Sequence, residues 1–98
     1  MPTETLTLAS RVRHRAVGED GVVVHLDRGR VLVVNEVGLR IVELLRQPIS
    51  RTDIRDCLVR EFDVTIEQAE TDLERFLKEL DTEQVLETRA IGTNDVSK

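Results

Sequence analysis

The hydrophobic period of this sequence changes once, at Asn35, and this change constrains the fold more than any other feature. Before Asn35, apolar and polar residues alternate with a period of two, which is typical of half-buried β-strands. After it, apolar residues recur every three or four positions, which is typical of amphipathic helices. Strands followed by helices, without a βαβ crossover pattern, predict an α+β fold.

The first part of the chain predicts three antiparallel strands joined by tight turns. The first strand covers residues 11–17, where arginines alternate with smaller residues, and the second covers residues 22–27. The third strand is Arg30–Val34. Residues 18–21 form the first turn, and Arg28-Gly29 closes the second, with Gly29 expected at positive φ.

Three short helices are predicted to follow. Asn35, Ser50 and Thr65 are good N-caps, and the last two begin capping boxes. Gly38 inside the first helix reduces helix stability by about 1 kcal/mol relative to alanine. We expect close packing against the sheet to offset this loss. The inner faces contain Val37, Ile41, Leu44, Leu45, Ile54, Cys57, Leu58, Phe62, Ala69, Leu73, Phe76, Leu77 and Leu80.

A chain of 98 residues is expected to form one domain, because chains divide into several cores only well beyond this length. We place the folded unit at residues 11–87. Residues 1–10 are interpreted as a flexible N-terminal arm and residues 88–98 as a flexible C-terminal tail. Only Phe62 and Phe76 are aromatic, so the core must be aliphatic.

The charge balance argues against nucleic acid as a partner. The chain has 19 acidic and 14 basic residues and a net charge of −5, which is the wrong sign for a domain that neutralises phosphates. The sequence contains no stretch of about 18 apolar residues, so no membrane span is predicted. Cys57 has no partner for a disulfide, and no secretory signal is visible, so a cytoplasmic location is expected.

Residues that carry chemistry are few. Cys57 lies on a predicted inner helical face, where an inert buried thiol is the usual case. His14 and His25 lie on neighbouring strands, but no third ligand has the spacing of a metal site. No glycine-rich phosphate loop precedes a helix. We therefore expect neither an enzyme nor a bound cofactor or metal.

The third strand is the most informative segment for function, because Val31 to Val34 are aliphatic on both faces. The third helix covers this strand, or its edge is open to a partner strand, and the sequence leaves both alternatives open. An open edge would bind an extended peptide through backbone hydrogen bonds. The acidic residues of the third helix are interpreted as a solvated face or as a wall that recognises a basic or amide-rich peptide.

Residues 21–27, 29–38 and 43–45 resemble the PqqD family. In that pattern, a Gly-Arg turn leads into an apolar residue, Asn, two variable positions and Gly, and a helix ending in two leucines follows. Residues 50–62, Asp63-Val64 before the long helix, and the later pair Leu77 and Leu80 are similar to the second half of the family. The resemblance covers residues 11–87.

The resemblance implies a winged-helix-like domain that recognises ribosomally synthesised precursor peptides. The leader segment would add as an antiparallel strand to the third strand, in a groove whose other wall is the last helix. The domain would present the bound leader segment to a radical SAM enzyme of pyrroloquinoline quinone synthesis or to a leader peptidase of a lasso-peptide pathway. The implied peptide-binding residues are Arg30, Val31, Leu32, Val33, Val34, Asp72, Arg75, Phe76 and Glu79. Phe76 would be the hydrophobic anchor, with a role only in the core as the alternative.

Two rival hypotheses remain from the sequence. A winged-helix-like DNA-binding or transcription-partner domain would need a basic recognition helix. The best candidate, residues 50–62, balances its arginines with acidic residues. Alternatively, the open edge pairs with a second copy and produces a homodimer.

Overall fold

The predicted three-stranded antiparallel sheet is present in the computed structural model, which describes residues 3–91. In chain order the elements are β1 (Thr3–Leu8), β2 (Val12–Val17), β3 (Asp20–His25), β4 (Arg30–Val34), α1 (Glu36–Leu44), α2 (Arg51–Glu61), α3 (Ile66–Thr82) and β5 (Leu86–Ile91). The sheet has the order β2-β3-β4, and three helices follow it. The predicted α+β fold is therefore confirmed.

The helices begin at the predicted capping residues. The side chains of Asn35, Ser50 and Thr65 each accept a hydrogen bond from the backbone N–H three residues later, at 2.9–3.1 Å. Each bond satisfies a donor that has no partner inside its helix. Local sequence therefore determines where all three helices start.

A second, two-stranded sheet joins the two ends of the described chain, because β1 pairs antiparallel with β5. Leu6 is 0% exposed, and its backbone exchanges hydrogen bonds of 2.8 and 3.0 Å with Ile49. The interpretation of residues 1–10 as an arm without regular structure is wrong for residues 3–8. The same correction applies to residues 88–91, which lie in β5, whereas residues 92–98 lie outside the described part.

The core lies between the helices and the inner faces of both sheets, and it is aliphatic as predicted. Four of its residues come from α3 and form that helix's inner face, whereas Phe62 and Phe76 are only half-buried. The buried apolar residues are Leu6, Val12, Val23, Val34, Leu39, Ile41, Val42, Leu45, Ile54, Leu58, Ala69, Leu73, Leu77, Leu80 and Val85.

Gly21 allows α1 to approach the sheet. A Cβ atom at this position would lie 2.6 Å from Leu39 Cδ1 and 3.2 Å from Val34 Cγ2, so both side chains would have to shift to accommodate any other residue. The sequence places Gly21 in a turn, but the residue lies within β3. The turn instead contains Gly18, whose φ of 63° is the left-handed conformation that glycine adopts readily.

The structure also corrects the expected surroundings of Cys57. Its side chain is half-buried rather than fully buried, and the Arg60 guanidinium lies 3.4 Å from its sulfur. His25 is buried, and its Nδ1 has no hydrogen-bond partner among the described residues. His14 lies opposite Val23 rather than His25. Within residues 3–91 no group of three or more His, Cys, Asp or Glu side chains is arranged to hold a metal.

An ion pair joins α1 to the end of α2. Arg40 donates two hydrogen bonds to the Glu61 carboxylate, from Nε at 2.6 Å and from Nη2 at 2.9 Å. The hydrogen bond from Arg40 lowers the pKa of Glu61 below its ordinary value of 4.5. Because the charged carboxylate is favoured in the folded state, this pair stabilises the fold above pH 4.5. That contribution is lost as the pH falls through the lowered pKa.

We therefore expect Glu61→Gln to reduce the free energy of unfolding at pH 7 by about 0.2–1 kcal/mol, the range for partly exposed pairs. The difference between the variant and the wild type should shrink as the pH falls below that ordinary pKa, because the wild-type carboxylate then becomes protonated. Urea unfolding between pH 3 and pH 7 measures this. Glu19→Gln, at an exposed turn, is the control, and an equal loss in both variants would exclude the ion pair as the cause.

Candidate functional site

β4 is an edge strand. Among the described residues it pairs with β3 and with no other strand. Val34 is buried and Leu32 half-buried on the face that packs against the helices, whereas Val31 and Val33 on the outer face are 60% and 79% exposed. The inner face of β4 is therefore covered, while its outer face and its edge are open.

A groove of about 280 Å³ opens where β4 leads into α1. One wall is α3, whose lining residues recur at spacings of three and four and so share one face of the helix. These residues are Asp72, Arg75, Phe76 and Glu79. The other wall is formed by Asn35, Val37, Gly38 and Ile41. The structure therefore brings the four predicted helix residues together, whereas the predicted β4 residues lie along the neighbouring edge and do not line this groove.

Two contacts fix the direction of α3 relative to β4. At the start of β4, Arg30 Nη2 lies 2.9 Å from Glu83 Oε1, just beyond the end of α3. At the end of β4, a Cβ on Gly38 would lie 3.1 Å from both Val34 Cβ and the Phe76 ring. The helix therefore runs antiparallel to β4, and its groove-lining face extends along the open edge.

Phe76 contributes to both the core and the groove. Its ring is half-buried against the core cluster, and it also forms part of the groove lining. Gly38 has no side chain, which allows the ring to lie close to α1. The expected close packing around Gly38 is thus present, with Phe76 as well as with the sheet. The two alternative roles of Phe76 are compatible in this geometry.

Of the two carboxylates that line the groove, one has side-chain partners among the described residues and the other has none. Asp72 Oδ1 accepts a hydrogen bond of 2.9 Å from Gln68 and lies 3.8 Å from Arg75 Nη1. Glu79 is exposed, and its side-chain carboxylate has no hydrogen bond or ion pair with any described residue. Residues at i, i+4 on a helix can form ion pairs, and Arg75 and Glu79 have this spacing. Arg75 is turned towards Asp72 instead. The groove therefore contains one carboxylate without a cation beside it.

Sequence reasoning does not include the α1 residues in the site. It assigns Asn35 to a helix cap, Gly38 to a packing position, and Val37 and Ile41 to an inner face. All four line the groove. Gly38 in the middle of α1 is the sequence feature that could have indicated this wall of the groove. A glycine there lowers helix stability, and contact with a close neighbour offsets the loss.

The outer face of the three-stranded sheet is an exposed apolar surface. Val31 lies beside Val24 and Val33 beside Val22, and Arg13 and Arg15 of β2 continue these two rows. This surface lies on the opposite side of the sheet from the helices, and an added strand at β4 would extend it.

The geometry of α2 does not favour DNA binding. Arg51 forms ion pairs with Glu4 and Glu74. Arg55 forms ion pairs with Asp56 and Glu70, each at 3.0 Å. Two of the three arginines of the candidate recognition helix are therefore already neutralised within the protein, which removes most of the charge that phosphate contacts would need.

Comparison with known families agrees with this arrangement. The sequence matches the family described as Coenzyme PQQ synthesis protein D (PqqD) over residues 20–86. The chain belongs to the PqqD family. The match spans β3, β4, all three helices and the first residue of β5, so it includes both the open edge and the groove.

Two solved structures share the PqqD-family fold of this chain. One is TbiB1 in complex with the TbiA(beta) leader peptide, with 28% identity, a TM-score of 0.75, and coverage of 91% of this chain and 99% of that one. The other is a lasso peptide synthetase B1 complexed with the leader peptide. It has 20% identity and a TM-score of 0.71, covers 84% of this chain and 96% of that one, and shows the fold alone.

No curated protein matches the sequence significantly. Within the described residues, the helices of this PqqD-family protein are too short or too polar to cross a membrane.

Proposed function

We propose that this chain is a non-catalytic adaptor for ribosomally synthesised peptides. It captures the leader segment of a precursor by strand addition to β4 and presents it to a modifying enzyme. The observation that carries the proposal is the open edge of β4 running beside the groove-lining face of α3. Membership of the PqqD family and the leader peptide in the TbiB1 complex support it.

The proposed peptide site uses both backbone hydrogen bonds and side-chain contacts. The edge of β4, from Arg30 to Val34, supplies backbone donors and acceptors, which provide affinity with little sequence preference. Phe76 supplies an apolar anchor at the end of the strand. Asp72, Arg75 and Glu79 supply charged contacts that fix the register of the peptide.

A binding role without catalysis agrees with where the reactive side chains lie. Cys57 is on α2, His25 is buried at the end of β3, and neither lines the groove. The proposal therefore includes no catalytic residue and no cofactor.

The modifying enzyme is the second partner in this proposal. The exposed valines of the outer sheet face remain accessible when a peptide occupies the edge, and exposed apolar patches of this kind mark interaction surfaces. A radical SAM protein and a leader peptidase are the two candidate classes, and the adaptor would meet either of them in the cytoplasm.

Hydrogen exchange tests the strand addition directly. The probe is the TbiA(beta) leader peptide of the TbiB1 complex. We expect binding to slow exchange of the outward-facing amides of β4, because they gain partners, while the amides at the opposite edge of the sheet, on β2, are unchanged. Binding that leaves β4 unprotected would rule out strand addition.

Gly38→Ala is expected to separate affinity from stability. Alanine improves helix propensity by about 1 kcal/mol, but its Cβ crowds the Phe76 ring and Val34, so the free energy of unfolding should change by less than about 1 kcal/mol. The half-buried ring is the neighbour that can move, and it would move into the groove. Leader affinity should therefore fall several-fold, as measured by fluorescence anisotropy beside urea unfolding. Unchanged affinity would show that the ring position does not matter for binding.

The open edge also permits pairing with a second copy. In a β4-to-β4 dimer, the two acidic α3 helices would flank the same gap and repel each other, whereas an extended peptide brings no helix with it. We therefore expect light scattering to give the monomer mass of 11.2 kDa without peptide. A dimer mass that falls when the leader is added would instead show that the two partners compete for β4.

A further inference from the structure

We infer that Glu79 selects the peptide by charge, so that the preferred ligand carries Lys or Arg two positions after the apolar residue that contacts Phe76. This inference rests on the proposed function and adds the chemistry of the ligand. The starting observation is that Glu79 lines the groove and has no cationic partner among the described residues.

The other charged groups near the groove are already paired. Arg75 lies 3.8 Å from Asp72, which also accepts the hydrogen bond from Gln68. Beyond the groove, Glu83 is held by Arg30 at 2.9 Å. A cationic side chain entering the groove therefore finds one carboxylate without an ion-pair partner in the described part of the chain, whereas an anionic side chain would have to share Arg75 with Asp72.

The position of the cation follows from the directions of the elements. An added strand is expected to run antiparallel to β4, which continues the pattern of the sheet. Because α3 is itself antiparallel to β4, the peptide and α3 run in the same direction. The peptide passes the level of Phe76 first, then Glu79, and then the Arg30–Glu83 pair.

The spacing selects the second position after the apolar residue. Peptide side chains on the helix side recur every two residues, about 6.8 Å along the strand. Along α3, Glu79 lies about 4.5 Å beyond Phe76 and Glu83 about 10.5 Å beyond it, at about 1.5 Å per residue. The next inward-facing side chain therefore falls between the two glutamates, where a long basic side chain reaches the unpaired one.

A peptide library tests this charge selection with ligands of every sequence, so the natural leader is not required. Random 12-residue peptides displayed on phage are selected on the wild type, on Glu79→Lys and on Asp81→Lys. Asp81 is the matched control, because it is exposed two residues further along α3 and lines a cleft on another side of the helix. Urea unfolding confirms that each variant is folded, and Glu79→Gln provides a second, neutral variant.

We expect Lys or Arg to be enriched two positions after an apolar residue with the wild type and with Asp81→Lys, and Asp or Glu to be enriched there with Glu79→Lys. In resynthesised peptides, Lys at that position should bind the wild type about two- to fivefold more tightly than Gln, in the range of partly exposed ion pairs. Glu79→Gln should abolish this difference, and Glu79→Lys should reverse it. Added salt should diminish it.

Hydrogen exchange on the selected complexes separates the two ways in which this can fail. If the peptides protect β4 but show the same charge preference with the wild type and Glu79→Lys, the charge selection is wrong and strand addition stands. If the selected peptides leave β4 unprotected, the proposed strand addition and the proposed charge selection are both wrong.

Discussion

Replacing Phe76 with alanine is expected to weaken leader binding by about 1–3 kcal/mol, the range for an aromatic anchor in a groove. The ring is half-buried between the groove and the core, so it offers a peptide apolar contact without having to be ordered first. Removing it leaves the backbone interactions at β4 but no hydrophobic contact at the end of the strand. Fluorescence anisotropy with a labelled leader measures the change.

Two further variants identify the cause of that loss. Ile66→Ala removes an exposed aliphatic side chain from the first turn of the same helix, outside the groove, and should leave affinity unchanged. Phe76→Leu keeps an apolar side chain on the core and should retain most of the stability while losing part of the affinity. Full affinity in Phe76→Ala would restrict Phe76 to the core and move the anchor elsewhere.

Leu6→Ala is expected to reduce the free energy of unfolding by about 2–5 kcal/mol, the usual cost of removing a fully buried leucine. Leu6 is inaccessible to solvent and lies in β1, between β5 and the Ile49 segment. The residue belongs to the segment that the sequence suggests is a loose arm. Urea unfolding of the variant therefore measures how much β1 contributes to the core.

Leu26→Ala is the matched control, because it makes the same change at an exposed position in the β3–β4 connection. Its effect should stay within about 0.5 kcal/mol. If Leu6→Ala is no more destabilising than this control, the first strand does not contribute to the stability of the fold in solution.

The missed strand shows where sequence reasoning lacks information. Residues 5–8 alternate Thr and Leu, which is a strand pattern, but it is too short to decide by itself. The partner strand lies at the opposite end of the sequence, from Leu86 to Ile91. Pairing over that separation depends on how α3 returns the chain, which no local pattern encodes.

The site is predictable in part. The resemblance to the PqqD family suggests the third strand and one face of the third helix, and the structure places the helix residues Asp72, Arg75, Phe76 and Glu79 in one groove. The contribution of α1 does not follow from the sequence, because Val37 and Ile41 have the same apolar pattern whether they face the core or a groove. The assignment of these residues to peptide binding stays a prediction.

The sequence by itself determined six of the eight elements that the structure describes, which are β2 to β4 and the three helices. The period change at Asn35, the capping residues and the glycine turns specify three strands and three helices, because these signals act within a few residues of one another. Only the tertiary structure decided which side of β4 is covered and that Arg75 turns to Asp72 and leaves the Glu79 side chain unpaired. It also decided that β1 and β5 pair in a second sheet. Those outcomes depend on contacts between residues far apart in sequence, where packing and charge geometry select among patterns that are locally equivalent.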